Sequence, residues 1–119
     1  LAIANAIKCF NPELYLVGLY NSQLTKAAQD MGLKFLAEGF ADRHYDKNGK
    51  LVSRSIDGSV IHDLREIKHR VESIIDHGIV KTMEGDTIEI KVDTICVHGD
   101  NENALNITKE LNRLLKQRR

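Results

Sequence analysis

Three short stretches carry side chains of the kind that move protons or hold charge. The first is His98-Gly99-Asp100, which follows directly on the β-branched run Thr94-Ile-Cys-Val97. A histidine placed at a strand end can take up and return a proton near neutral pH. Gly99 lets the backbone come close to a ligand, and Asp100 can either cap the helix that follows or hold the imidazole in one tautomer. On a strand period of two, Cys96 and His98 share a face. Cys96 reads more readily as a small packing residue than as a nucleophile.

The second stretch, Glu38-Gly-Phe-Ala-Asp42-Arg43-His-Tyr45, packs two acids, two bases and a phenol into eight positions. Glu38 and Asp42 can act as general bases or orienting carboxylates. Arg43 and the later Arg54 offer forked donors suited to a carboxylate or a phosphoryl group, with Tyr45 as a further contact. The competing reading is a solvated loop with weak local ion pairs. The third stretch, Gly18-Leu-Tyr-Asn-Ser22, opens a helix and could present backbone amides to an anion, although an ordinary capped turn explains it as well. His62, His69 and His77 lack the i, i+4 spacing of a helical metal site and read as surface residues.

These stretches need elements to position them. Leu1 to Cys9, with Ile3, Ile7 and Phe10 at helical spacing, predicts a short helix stopped by Asn11-Pro12. Leu14 to Leu19 is a continuous apolar run, which predicts a strand covered on both faces. A helix capped by Asn21 or Ser22 and closed by Gly32 follows, and then a second strand from Leu33 to Ala37. Glu38 to Gly58 predicts a long polar loop of functional type. A helix from about Ser59 to Asp76, a hairpin of Ile79 to Met83 with Thr87 to Val92, the strand Thr94 to Val97 and a last helix from Ala104 complete the order. This alternation predicts an α/β fold with parallel strands and a peripheral β-hairpin, in one domain spanning residues 1–119.

Composition narrows the function classes. Lys plus Arg and Asp plus Glu both number 17, so no net field draws in nucleic acid or an anionic membrane. Cys9 and Cys96 form no CxxC or Cys/His cluster, and no apolar run reaches the length of a membrane span. A soluble, cytoplasmic protein is expected, with no structural metal. The first residue is not methionine and already lies in helical periodicity, which suggests a piece of a longer chain.

Phe40-Ala-Asp-Arg-His-Tyr45, Asn48-Gly-Lys-Leu-Val-Ser-Arg54, Gly58-Ser-Val-Ile61 and Thr94-Ile-Cys-Val-His-Gly-Asp100 together resemble the LamB/YcsF family, in order from about Val17 to Ala104. The resemblance implies the C-terminal half of an irregular (β/α) barrel related to the sugar hydrolase and deacetylase superfamily. Three parallel strands alone would leave open edges, as half a barrel does. The implied activity is that of a 5-oxoprolinase, the ATP-dependent opening of 5-oxo-L-proline to L-glutamate, with ATP and Mg as co-substrate, ADP and phosphate as further products, and two additional subunits as partners. Within it, His98 and Asp100 would move protons or activate water, Glu38 and Asp42 would orient, and Arg43, Arg54 and Tyr45 would bind substrate. The chain departs from the family pattern at Tyr20-Asn21, where small residues are usual, at Gly39, where an apolar residue is usual, and in lacking the family's N-terminal half.

Two other readings stay open. One is a metal-dependent hydrolase or deacetylase of a carbohydrate, with Asp42, His98 and Asp100 as ligands. The other is a non-catalytic fragment that self-associates through its exposed strand edges.

Overall fold

The structure is a computed structural model and describes residues 1–118. Its order is α1 (Ala2–Phe10), β1 (Tyr15–Leu19), α2 (Gln23–Asp30), β2 (Lys34–Phe40), α3 (Leu64–His77), β3 (Ile79–Lys81), β4 (Thr87–Glu89), β5 (Thr94–Cys96) and α4 (Ala104–Gln117). One sheet runs β1-β2-β5 and a separate antiparallel pair is β3-β4. The expected α/β class, with parallel strands and a hairpin apart from them, is what is found. No helix among the described residues is long and apolar enough to cross a membrane. The chain gathers into two compact units, residues 1–39 with 91–95, and residues 40–90 with 96 onward.

In the first unit β1 and β2 pair in parallel, Tyr15 opposite Lys34 through Leu19 opposite Glu38. Small residues let the helices sit close to the sheet: Ala4, Leu16, Ala27, Ala28 and Leu33 form the core, with Ile7, Leu24, Met31 and Phe35 packed on it. Burying a side chain such as Leu16 contributes about 1.5–3 kcal/mol. Ser22 caps α2 in a capping box with Thr25. Two expectations need correcting. β1 is covered on one face only, since Tyr15 and Val17 are 57% and 47% exposed while Leu16 is buried. In α1 the face against the core is Ala4 and Ile7, and Phe10 is 85% exposed.

β5 meets β2 through Asp93, whose backbone N–H donates to the Ala37 carbonyl at 2.8 Å and whose carboxylate accepts the Ala37 N–H at 2.8 Å. Gly39 lies close under this contact: a Cβ at that position would stand 3.0 Å from a Val92 methyl, which would have to shift by a few tenths of an ångström.

In the second unit the segment after β2 is not a polar loop. Ala41, Asp42 and Tyr45 are fully buried, with Arg43, Ser59 and Ile61 close to it. Antiparallel bridges join Arg43 to Val60 and Tyr45 to Leu51. The Asp46 carboxylate accepts the Asn48 and Lys50 amides at 2.8 and 2.9 Å and so holds the reversal between them. Because residues 59–61 are extended in this arm, α3 starts at Leu64 rather than near Ser59. Asp63 caps it, accepting the Glu66 amide at 2.9 Å. Gly78 ends it at φ 64°, a left-handed conformation that glycine adopts without penalty. Ile67, Val71 and Ile74 of α3 and Ile107, Leu111 and Leu114 of α4 are buried in this unit, where the two helices pack together.

Candidate active site

The site is built where β2 and β5 end. The Ala41 N–H donates to the Cys96 carbonyl at 3.0 Å, which brings the residues just beyond both strands alongside each other. Asp42 Oδ1 lies 2.7 Å from His98 Nδ1. Its other oxygen accepts the His98 backbone N–H and Asn101 Nδ2, each at 3.4 Å. Phe40 stacks on the imidazole with ring centroids 5.2 Å apart and planes 15° from parallel. The carboxylate side chain is 1% exposed and the imidazole 20%.

This geometry fixes the histidine. An ionised carboxylate only accepts hydrogen bonds, so Nδ1 is the protonated nitrogen and Nε2 carries the lone pair in the neutral ring. The residue that orients the imidazole is therefore Asp42, not Asp100. Asp100 does not cap α4 either, since the helix begins after Asn103. It is exposed and pairs with Arg54 at 2.9 Å, and that hydrogen bond holds its carboxyl below the ordinary range.

His98 lines a cavity of about 190 Å³ together with Asp42, Arg43, Arg54, Asp100 and Asn101, and with Val60 and His62. Arg43 is only 7% exposed. One terminal nitrogen donates to the Val52 carbonyl at 2.6 Å, and its Nε has no partner. No carboxylate pairs with it among the described residues. A guanidinium withdrawn from water is costly to leave short of acceptors, and Arg43 shares its cavity with the carboxylates of Asp42 and Asp100.

Five of the seven candidates from the sequence thus meet in one pocket: Asp42, Arg43, Arg54, His98 and Asp100. The other two do not line it. Glu38 lies in the first unit on β2, half-buried, its carbonyl accepting the Tyr20 N–H at 3.1 Å. Tyr45 is fully buried, its hydroxyl accepting the Phe40 N–H at 2.9 Å and its ring 5.4 Å from the Arg70 guanidinium carbon. Sequence reasoning missed Asn101 and Phe40. Asn101 also donates to the Ile61 carbonyl at 3.4 Å and accepts the Asn103 amide at 3.0 Å. Its place three residues after His98, ahead of a helix, was the available signal. Cys96 is half-buried in β5. Among the described residues, no three His, Cys, Asp or Glu side chains are grouped to hold a metal ion.

Comparison with known proteins gives a consistent set of relatives. The sequence matches the LamB/YcsF family over residues 1–119. It is 45% identical over 116 residues to the A subunit of 5-oxoprolinase from Pyrococcus abyssi, covering 98% of this chain and 46% of that protein. The protein of the same name from Nitrobacter hamburgensis is 44% identical over 115 residues, covering 97% and 45%. The crystal structure of a lactam utilization protein from Thermus thermophilus superposes with a TM-score of 0.89 at 34% identity, covering 98% of this chain and 46% of that one. The chain spans about half the length of the curated relatives it matches.

Proposed function

The chain belongs to the LamB/YcsF family, and from that premise we propose that it is the C-terminal half of the A subunit of an ATP-dependent 5-oxoprolinase. In this reading the complete protein, with two partner subunits in the cytoplasm, opens 5-oxo-L-proline to L-glutamate and converts ATP, supplied with Mg, to ADP and phosphate. The names of its relatives support a lactam as substrate. The observation that carries the reading within this chain is the Asp42–His98 pair at 2.7 Å in a cavity that Arg43 also lines.

The chemistry asks for those parts. An unstrained lactam is a poor electrophile, and transfer of the terminal phosphoryl group of ATP to the amide oxygen activates the ring carbon toward water. His98, with Asp42 bearing on the resulting positive charge, takes the proton of that water and returns it to the ring nitrogen as the C–N bond breaks, and a second water then hydrolyses the acyl phosphate left behind to the carboxylate of L-glutamate and phosphate. Arg43 holds the substrate carboxylate through its fork, and the Arg54–Asp100 pair at the exposed rim is placed to meet phosphoryl oxygens or the leaving amine. The reading is tested with the full-length protein in complex with its two partners. His98→Ala should abolish 5-oxoproline turnover while leaving assembly intact, and undiminished turnover would overturn it.

A further inference from the structure

Asn101 lies between β5 and α4 and is 7% exposed. Its amide nitrogen donates to Asp42 Oδ2 and to the Ile61 carbonyl, each at 3.4 Å, and its amide oxygen accepts the Asn103 N–H at 3.0 Å. A backbone N–H only donates, so the amide atom facing Asn103 is the oxygen, and the nitrogen is the one left for the two acceptors. Its own backbone N–H donates to the His98 carbonyl at 3.2 Å. One residue thus closes the turn that carries the imidazole and also holds the carboxylate opposite it.

The contacts on the imidazole do different things. Stacking on Phe40 fixes the plane of the ring. A half-turn about the Cβ–Cγ bond would preserve that stack while exchanging Nδ1 with Cδ2. Asp42 Oδ1 tells the two edges apart, because a carboxylate gains far more from an N–H than from a C–H. A carboxylate held at one oxygen only would swing about its own Cβ–Cγ bond. Here the second oxygen is held as well, by the His98 backbone N–H and by Asn101 Nδ2. Both bonds are long, so with either gone a single weak contact fixes the plane of the carboxylate.

We propose that Asn101 is the positioning residue of this site. It clamps the Asp42 carboxylate in the plane that keeps Oδ1 on His98 Nδ1, and so keeps the proton on Nδ1 and the lone pair on Nε2. In the neutral ring the proton can sit on either nitrogen, and only the form with a bare Nε2 offers that atom as a base. The tautomer part of this inference concerns the chain alone, and its catalytic part rests on the proposed function.

The test is a long-range ¹H–¹⁵N NMR spectrum of the ¹⁵N-labelled chain, recorded at alkaline pH, where the ring is neutral. The His98 Nδ1 signal should lie upfield, where a protonated ring nitrogen resonates; a native ring protonated on Nε2 overturns the proposal before any variant is made. In Asn101→Ala the Nδ1 signal should move downfield as the two tautomers mix, and an unmoved signal refutes the clamp. In Asp42→Ala the bias should vanish, and Asn101→Ala added to it should change nothing more. A further shift would show that Asn101 reaches the ring by another route, against the proposal. In the assembled complex Asn101→Ala should lower kcat by up to about 100-fold, the scale of a misplaced reacting group, with the KM for 5-oxoproline unchanged. A rise in KM alone would make Asn101 a substrate contact instead. Full turnover in His98→Ala would remove the proposed function and leave the tautomer result to be judged by itself.

Discussion

Asp42 and His98, 56 residues apart in the chain, meet at 2.7 Å because each lies just beyond the end of a strand in the same sheet. The pairing assigns the proton to Nδ1 and leaves Nε2 for chemistry. Asp42→Asn keeps the shape but removes the charge and turns one of the two accepting oxygens into an N–H donor. Under the proposed function, turnover of the complex is expected to fall by about 10²- to 10⁴-fold, the usual contribution of a positioned acid–base group. A thermal melt of the variant separates this from unfolding.

Arg54 is half exposed and touches Asp100 at the surface, so removing it should cost little stability, within about 0.5 kcal/mol. Its effect is electrostatic. In Arg54→Ala the Asp100 carboxyl should return upward toward 3.8, which a carbon-detected NMR titration reads directly. An unchanged Asp100 titration would show that the pair does not persist in solution.

Tyr45 was expected to touch substrate, and its surroundings suggest a different experiment. Tyr45→Phe removes the acceptor of the Phe40 N–H and leaves that donor without it. The cost should be about 1–3 kcal/mol, measured by urea unfolding. If stability is unchanged while the Michaelis constant for 5-oxoproline rises, the hydroxyl contacts substrate instead.

His44 is held below the ordinary histidine range, first by burial and then by the Arg70 charge, with Glu66 opposing. A histidine with a depressed folded-state value binds fewer protons folded than unfolded. Stability from this group is therefore complete above about 6.5, the unfolded value, and is lost as pH falls through the folded value. Denaturant midpoints measured between pH 7.5 and 5 should fall with acidification, and less so in His44→Phe.

The alternation of apolar runs, capping residues and glycines settled which segments become helices and strands, because those preferences act over a few residues. Ser22, Gly32 and Gly78 stand at helix ends as their types require. The candidate residues were legible too, since histidine, aspartate and arginine crowd the segments that follow strands. Two things were not. Residues 41–61 look polar, yet Asp42, Arg43 and Ser59 are buried: Asp42 meets His98 from a distant segment, while Arg43 reaches the Val52 carbonyl and the Ser59 carbonyl takes the His44 amide as residues 41–61 fold back on themselves. Nor could spacing tell which carboxylate meets the imidazole. Asp100 is two residues from His98 and Asp42 is 56 away, but a strand end turns its neighbours in sequence outward and sets its neighbours across the sheet alongside. Chain order determined the kinds of groups available, and only the pairing of strands in the folded sheet decided which of them touch.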